Sequence, residues 1–238
     1  MSALEKALNH SKNLGIDECE IVIVKKKIIT VRITDSEIAE IKQNFDENFG
    51  IRLIHKNKIV SIQTTNQQNI EKEIDDAFQI SSGLKPREFW SGLPYKLKPK
   101  QLEGVFDEKL EKISGGKVMD IAQNMINSAN NNKINTITGS LNIVSEQYEI
   151  ANSNGLELKD KATYISGIIN AESEYGTIPV SGIGHASCRT LSNFSAEQIG
   201  EDAKIMSVES INPQKIDSGG YFFFQAEDGI RDLIVTGV

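Results

Sequence analysis

The sequence predicts an α+β fold, in which an N-terminal helix, antiparallel sheet and helix form one domain and a second β-rich domain with flanking helices follows. Two observations lead to this prediction. Separate segments carry apolar side chains at helical spacing, and between them lie long runs rich in Val, Ile and Thr that favour strands. Asn, Gly and Lys residues separate several of these runs, which is typical of antiparallel hairpins.

The N-terminal domain begins with a predicted helix over residues 2–14, where apolar residues recur at helical spacing and Gly15 is a stop signal. Strands are predicted at 19–24 and 28–33, because both are rich in Val and Ile. The three lysines at 25–27 are interpreted as the polar turn of a hairpin between them.

The sheet is predicted to continue through residues 38–45, and Gly50 is interpreted as a bulge or turn. Lys56 and Asn57 separate two further apolar runs and predict a two-residue hairpin loop, because Asn tolerates positive φ. Residues 69–80 combine a buried apolar face with an acidic solvated face, which predicts the closing helix.

Residues 83–104 interrupt the periodicity with Pro and Gly and predict an extended connector. Aromatic and basic residues alternate in it: Phe89, Trp90, Tyr95, Lys85, Arg87, Lys96, Lys98 and Lys100. One interpretation is that the aromatics pin the connector onto the first domain while the lysines stay in solvent. The alternative, which the sequence favours less, is that the aromatics stack on single-stranded nucleic acid.

The second domain is predicted to open with a helix over 116–129, again from apolar residues at helical spacing. Long strands are predicted at 134–150 and 156–172, and the Asn-Ser-Asn-Gly sequence at 152–155 is a strong hairpin signal between them. A final helix is predicted over 195–211, whose first residue, a serine, is a candidate N-cap.

The residues that could carry chemistry do not cluster in the sequence. No histidine opens a His-Glu pair, and the histidines are His10, His55 and His185. His185 and Cys188 form an isolated H-x-x-C, which lacks the third ligand that a zinc ion needs. Glu172 and Glu174 are interpreted as a solvated strand end. No catalytic, cofactor-binding or metal-binding residue is therefore predicted.

Two glycine-rich segments could suggest a phosphate loop, but neither matches the spacing of a known phosphate-binding motif. They are Gly115-Gly116-Lys117 and Gly182-Ile183-Gly184, and both are interpreted as turns. No G-x-S-x-G sequence that would mark a nucleophilic serine is present in the chain.

Composition narrows the class of protein. A formal charge of −7 and a pI near 5.1 oppose non-specific attraction to nucleic acid. The sequence has no apolar run long enough for a membrane helix and no signal-like N-terminus, so a cytoplasmic location and no membrane partner are expected. The predicted division is a domain at 1–82, the connector at 83–104, a domain at 105–219 and a non-native tail at 220–238.

The tail differs from the rest of the chain. Residues 222–238 resemble a translated sequencing adapter, so we expect them to be a scar and the natural protein to continue beyond Gly219. The alternative is a genuine pair of strands at 222–224 and 233–235, with an Asp-Gly turn at 228–229.

Several short segments occur in an order and spacing that resemble the TldD/PmbA family of zinc metallopeptidases, also called modulators of DNA gyrase. They are 15–21, 49–53, the helix ending near Ala77, 152–156 and 198–203. The resemblance covers residues 2–219. It implies an α+β N-terminal domain, a β-rich middle region and a C-terminal domain that this chain is expected to lack.

The resemblance also implies a function, proteolysis of peptides. Catalytic subunits of the family bind zinc through a His-Glu-x-x-x-His helix after the middle region, and this sequence has no such motif, so no site residue carries over. The family forms heterodimers of a TldD-like and a PmbA-like subunit and holds an extended peptide as an added strand. Residues 181–191 look closer to the metal-free PmbA-like type. The alternative function is a non-enzymatic scaffold or regulator of DNA gyrase.

Overall fold

The computed structural model describes residues 2–95, 102–211 and 213, together with the backbone of 224–226 and 229–231. These residues form a six-stranded, curled antiparallel sheet, with helices on one of its faces. The strands of this sheet are β1 (Glu18–Thr34), β2 (Glu37–His55), β3 (Lys58–Thr64), β4 (Thr136–Asn152), β5 (Glu157–Tyr175) and β6 (Ile178–Cys188). The helices are α1 (Ala3–Asn13), α2 (Ile70–Ser81), α3 (Glu108–Glu111), α4 (Gly115–Ala129) and α5 (Ala196–Glu209). The predicted α+β fold is therefore confirmed.

The sheet is continuous across the two predicted domains. Its strand order is β3-β2-β1-β4-β5-β6, and β1 pairs with β2 on one side and with β4 on the other. The pairing with β4 runs from Glu20, opposite Asn152, to Ile33, opposite Gly139. The two halves of the chain therefore share backbone hydrogen bonds along most of one strand, and the predicted domain boundaries stay a prediction.

Two hydrophobic clusters lie side by side on the helix-covered face. Helices α1 and α2 cover the first, which includes Ile21 and Phe49, and helices α3, α4 and α5 cover the second, which includes Val31 and Leu141. Both use odd-numbered residues of β1, because side chains alternate between the faces of a strand. Between the clusters a cleft of about 510 Å³ is lined by residues that include Phe45, whose side chain is 71% exposed.

The predicted turn at 25–27 is wrong, because β1 runs without interruption from Glu18 to Thr34. Two of its lysines form cross-strand ion pairs, Lys25 with Glu47 at 2.9 Å and Lys26 with Glu146 at 2.7 Å. A run of like charges can therefore lie within a strand when each neighbouring strand supplies an acid.

The turn of the first hairpin lies at Asp35 and Ser36, which adopt φ values of 52° and 64°. Gly50 is neither a bulge nor a turn, since it pairs in register with Val22 inside the 19-residue strand β2. The predicted loop at Lys56-Asn57 is confirmed, with φ values of 50° and 58°. Both loops join strands through two residues in the left-handed region, as tight hairpins require.

Strand β6 was not predicted, and the turn assigned to Gly182-Ile183-Gly184 is wrong because these residues lie within it. Helix α5 packs so closely on β6 that a Cβ atom added at Gly182 would lie 2.2 Å from the carbonyl oxygen of Ala203. The glycines therefore serve helix packing rather than a turn. Gly115 and Gly116 also do not form a turn, since they begin α4.

The predicted helices are confirmed, with ends set by the expected caps. Ser2 and Glu5 form a reciprocal capping box at the start of α1. The hydroxyl of Ser195 accepts a hydrogen bond from the backbone N–H of Gln198 at 3.2 Å, as predicted for the N-cap of α5. No helix of the described residues is long and apolar enough to cross a membrane.

Part of the tail has a described backbone. β7 (Phe224–Ala226) and β8 (Gly229–Arg231) pair with each other as an antiparallel hairpin, separate from the six-stranded sheet. Residues 214–223, 227–228 and 232–238 lie outside the described residues. The scar interpretation stays a prediction.

If residues 222–238 are a scar, their deletion is expected to leave the melting temperature unchanged or to raise it, because their three consecutive phenylalanines then add only an aggregation-prone segment. Differential scanning calorimetry of the full chain and the truncated chain measures this. A loss of several kcal/mol on truncation, at about 25 cal/mol per Å² of buried apolar area, would instead identify the tail as native structure.

Candidate functional site

The sheet has one face on which no helix of the described residues packs, and we call it the open face. It carries the even-numbered residues of β1 and β4, since the two hydrophobic clusters occupy the odd-numbered ones. The curl of the sheet leaves much of the open face half-buried, and Val144 and Glu146 on it are buried. A buried carboxylate on a face without helices is unusual and directs attention to its neighbours.

A charged network surrounds Glu146. Its carboxylate accepts hydrogen bonds from the ammonium of Lys26, directly opposite on β1, and from the hydroxyl of Tyr148, two residues along β4. Tyr164 on β5 lies opposite Val144, in the adjacent row of side chains. Lys26, Glu146 and Tyr148 therefore satisfy one another, since each donor meets an acceptor.

The network sets the protonation states of its members. Burial opposes ionisation of Glu146, but hydrogen bonds from Lys26 and Tyr148 outweigh it and lower the pKa of the carboxyl. The bond to Glu146 raises the pKa of Lys26. Burial, with the bond to Glu146, raises the pKa of Tyr148 to about 12. At neutral pH the ion pair is therefore charged and Tyr148 is a hydrogen-bond donor.

Arg189 follows β6 and extends over the same region. Its guanidinium carbon lies 6.0 Å from the centroid of the Tyr164 ring, at the outer limit of a cation–π contact. The hydroxyl of Thr163 donates to the backbone carbonyl of Arg189 at 3.0 Å, which fixes the chain at this point. Arg189, Tyr164 and Glu146 thus place a basic, an aromatic and an acidic side chain close together on the open face.

A second polar network ties the connector to the edge of the open face. The carboxylate of Glu18 accepts from the indole N–H of Trp90 at 2.7 Å, the backbone N–H of Leu93 at 2.8 Å and the side-chain amide of Asn154 at 3.1 Å. Burial raises the pKa of Glu18, but these bonds outweigh it, so the pKa lies below its usual range. Leu93 is buried. The connector is therefore anchored through an ionised carboxylate.

The predicted turn at 152–155 completes this network. Asn152 accepts from the backbone N–H groups of Asn154 and Leu156, both at 3.0 Å, and its amide donates to the carbonyl of Pro94 at 2.8 Å. Gly155 adopts φ 80°, as the tight turn requires. The hairpin signal in the sequence therefore also marks the anchor point of a segment 58 residues earlier in the chain.

The structure supports the pinning interpretation of the connector for one aromatic only. Trp90 is half-buried and bonded to Glu18, whereas Phe89 and Tyr95 are 84% and 76% exposed. Lys96, Lys98 and Lys100 lie outside the described residues.

The histidines are placed on separate elements. His10 on α1 bonds to Asp75 on α2 at 2.8 Å, and His55 ends β2 and stacks edge-on against Phe78. His185 is exposed on the open face, while Cys188 packs against the second hydrophobic cluster on the opposite face. The H-x-x-C pair therefore cannot converge on one ion. The described ranges contain no group of three His, Cys, Asp or Glu side chains that could hold a metal.

The predicted acidic pair lies near the opposite end of β5 from the charged network. Glu172 accepts a hydrogen bond from the side chain of Asn170 at 3.1 Å, and Glu174 is exposed. This position agrees with the interpretation of the pair as a solvated strand end.

The sequence pointed to Trp90 and the turn at 152–155 in the second network, but it did not reveal Glu18, Glu146 or Arg189. Glu18 and Glu146 lie near other charged residues in the sequence, and Arg189 stands alone in an otherwise uncharged run over 175–196. One signal was available: an acid at 146 flanked by strand-forming residues interrupts an otherwise half-buried run, which suggests a paired charge. The identity of its partners depends on strand register, which the sequence does not specify.

Two family models match successive parts of the chain. The model of PmbA/TldA metallopeptidase domain 1 matches residues 19–81, and that of the PmbA/TldA metallopeptidase central domain matches residues 107–211. The chain belongs to the PmbA/TldD family. No curated protein matches the sequence. The segments that carried the resemblance in the sequence therefore identified the family correctly.

Solved structures with the same fold include two proposed modulators of DNA gyrase. The one from Thermotoga maritima is 20% identical, with a TM-score of 0.77, over 92% of this chain and 50% of that protein. The one from Bacteroides thetaiotaomicron is 17% identical, with a TM-score of 0.80, over 92% of this chain and 52% of that protein. TldE from Thermococcus kodakarensis is 18% identical, with a TM-score of 0.73, over 88% of this chain and 47% of that protein. This PmbA/TldD-family chain spans about half the length of these proteins.

Proposed function

We propose that this chain supplies the first and central domains of a PmbA/TldD-type peptidase subunit that acts in the proteolysis of extended peptides in the cytoplasm. The observation that carries the proposal is that both family domains match in order, and that their strands form one continuous sheet. A TldD-like or PmbA-like subunit is the proposed partner.

The sheet offers free edges that suit an extended peptide. Among the described residues, β3 pairs only with Phe49–His55 of β2, so the first half of β2 has a neighbour on one side. β6 is the outermost strand at the other end. A peptide added to either edge would bind through backbone hydrogen bonds with little dependence on sequence, which suits a peptidase of broad specificity.

We assign to this chain the metal-free role in the proposed pair, on the PmbA-like character of residues 181–191. The described residues do not fit a zinc ion, because His10, His55 and His185 lie on three elements and the first bonds to Asp75 instead. We therefore derive no catalytic step through zinc from these residues. In the proposed complex the partner subunit holds the zinc.

The purified chain is expected to retain no stoichiometric zinc and to cleave no unfolded peptide alone, whereas a mixture with the zinc-bearing subunit cleaves it. Metal content by plasma mass spectrometry and cleavage of a quenched fluorescent peptide measure the two results. One equivalent of zinc that is lost in His185→Ala would contradict the metal-free role. A mixture that binds no partner and cleaves no peptide would contradict the peptidase function.

Regulation of DNA gyrase is a second candidate function, which the connector supports only weakly. Phe89 and Tyr95 are exposed and could stack on bases, but Trp90 is occupied by Glu18. The formal charge of −7 opposes phosphate binding. We therefore place peptide proteolysis first.

A further inference from the structure

Arg189 differs from the other arginines and lysines on the open face of the sheet. Those residues each lie near a carboxylate: Lys26 near Glu146 at 2.7 Å, Arg52 near Glu20 at 3.5 Å, Lys42 near Glu40 at 3.0 Å and Arg32 near Glu40 at 4.0 Å. Within the described part of the chain, no carboxylate lies within 4.0 Å of the Arg189 guanidinium. Its charge is thus free to meet an external anion.

Glu146 cannot readily become that partner. Its carboxylate already accepts from Lys26 and from Tyr148, and transfer to Arg189 would leave a half-buried ammonium without an acceptor. Arg189 acts on Glu146 only through space, where it helps to lower the pKa of the carboxyl. The internal network therefore holds the Glu146 carboxylate away from Arg189, and the Asp107 carboxylate nearby accepts from the backbone N–H of Leu191 at 2.8 Å instead.

Tyr164 adds a second donor at the same place. Its ring lies beneath the Arg189 guanidinium, and its hydroxyl makes no hydrogen bond to another described residue. A guanidinium presents parallel N–H groups that match the two oxygens of a carboxylate, and an aromatic ring below it limits its rotation. An arginine with a nearby phenol is suited to bind a carboxylate.

We propose that Arg189, with the hydroxyl of Tyr164, binds a carboxylate of the peptide held by this sheet and so contributes to its specificity. The proposal rests on the proposed peptidase function. The location fits, because Arg189 directly follows β6, and β6 has no second neighbouring strand among the described residues. A peptide paired with that edge could extend to residue 189. The carboxylate is either the C-terminal group of the peptide or an acidic side chain near its end.

Fluorescence anisotropy with three labelled peptides of one core sequence tests the assignment on the full chain. One peptide ends in a free carboxylate, one ends in an amide, and one ends in an amide but carries a glutamate at its last position. The wild-type chain is expected to bind at least one carboxylate peptide about tenfold more tightly than the plain amide, as a charge-assisted bond implies. The preferred carboxylate peptide identifies which source of carboxylate binds.

The Arg189→Gln variant is expected to bind all three peptides equally, and Tyr164→Phe to lose part of the preference. Arg32→Gln is the matched control, since Arg32 lies on the same face beside Glu40, and it keeps the preference. Equal binding of all peptides by the wild-type chain, or an unchanged preference in Arg189→Gln, overturns the inference and leaves the peptide function intact. Binding of none of the three peptides overturns both.

Discussion

Replacement of Gly184 by alanine is expected to destabilise the chain by about 3 kcal/mol. A Cβ atom at this position would lie 1.9 Å from the carbonyl oxygen of Ile199 and 3.0 Å from the backbone nitrogen of Ala203. Both contacts are with the backbone of α5, so no side-chain rotation relieves them. Helix α5 must move away from β6 and lose its packing against the second hydrophobic cluster.

Gly116→Ala is the matched control for this prediction. No heavy atom lies within 4 Å of a Cβ atom built at Gly116, which lies in the first turn of α4. Alanine there is expected to stabilise the chain by about 0.5 to 1 kcal/mol, because it restricts the unfolded state and favours the helix. Urea unfolding of both variants measures the change in the free energy of unfolding, which is expected to fall for Gly184→Ala and to rise for Gly116→Ala. A Gly184→Ala variant as stable as the wild type would show that α5 does not pack on β6 at this distance.

Glu18→Ala is expected to release the connector and to cost about 3 kcal/mol, since three hydrogen bonds to one carboxylate are lost while the freed donors regain water. Trp90 is the only tryptophan of the chain, so its fluorescence reports this change directly. Its emission should shift to longer wavelength as the indole enters solvent. Glu88→Ala, which removes an exposed acid from the same connector, should leave emission and stability unchanged.

The same contact predicts a pH dependence. The pKa of Glu18 is lowered in the folded chain, so its contribution to stability is complete above the unfolded pKa of about 4.3 and is lost as pH falls through the folded value. Trp90 emission should therefore shift on acidification below about pH 4. In Glu18→Gln this acid step should be absent. A wild-type emission that is constant down to acid unfolding would contradict the anchoring role of the carboxylate.

Sequence reasoning succeeded where structure depends on neighbours in the chain. The helices α1, α2, α4 and α5 were predicted from apolar spacing, and Ser195 was identified as an N-cap because capping involves residues three apart. The loop at Lys56-Asn57 was predicted from the local tolerance of Asn for positive φ. The family was also identified, because short segments in a fixed order identify it without knowledge of their contacts.

Sequence reasoning failed where the role of a residue depends on a contact with a residue distant in the chain. The lysines at 25–27 resembled a turn because the acids that pair with Lys25 and Lys26, Glu47 and Glu146, come 22 and 120 residues later. Gly182 and Gly184 also resembled a turn. They are glycines because the backbone of α5, which follows later in the chain, occupies the space that a Cβ atom would need. Polarity and glycine content alone could not distinguish a turn from a charged strand or from a site of close helix packing.

By itself, the sequence determined the class of fold, the helices α1, α2, α4 and α5, the tight turns at 56–57 and 152–155, and the membership of the PmbA/TldD family, because periodicity, capping and motif order are local properties. Only the tertiary structure decided that β1 joins the two halves in one sheet, that Glu18 anchors the connector through Trp90, and that Arg189 lies over Tyr164 without a carboxylate partner among the described residues. These features depend on strand register and on contacts between residues 25 or more positions apart, which pairing across the sheet establishes and local pattern does not encode.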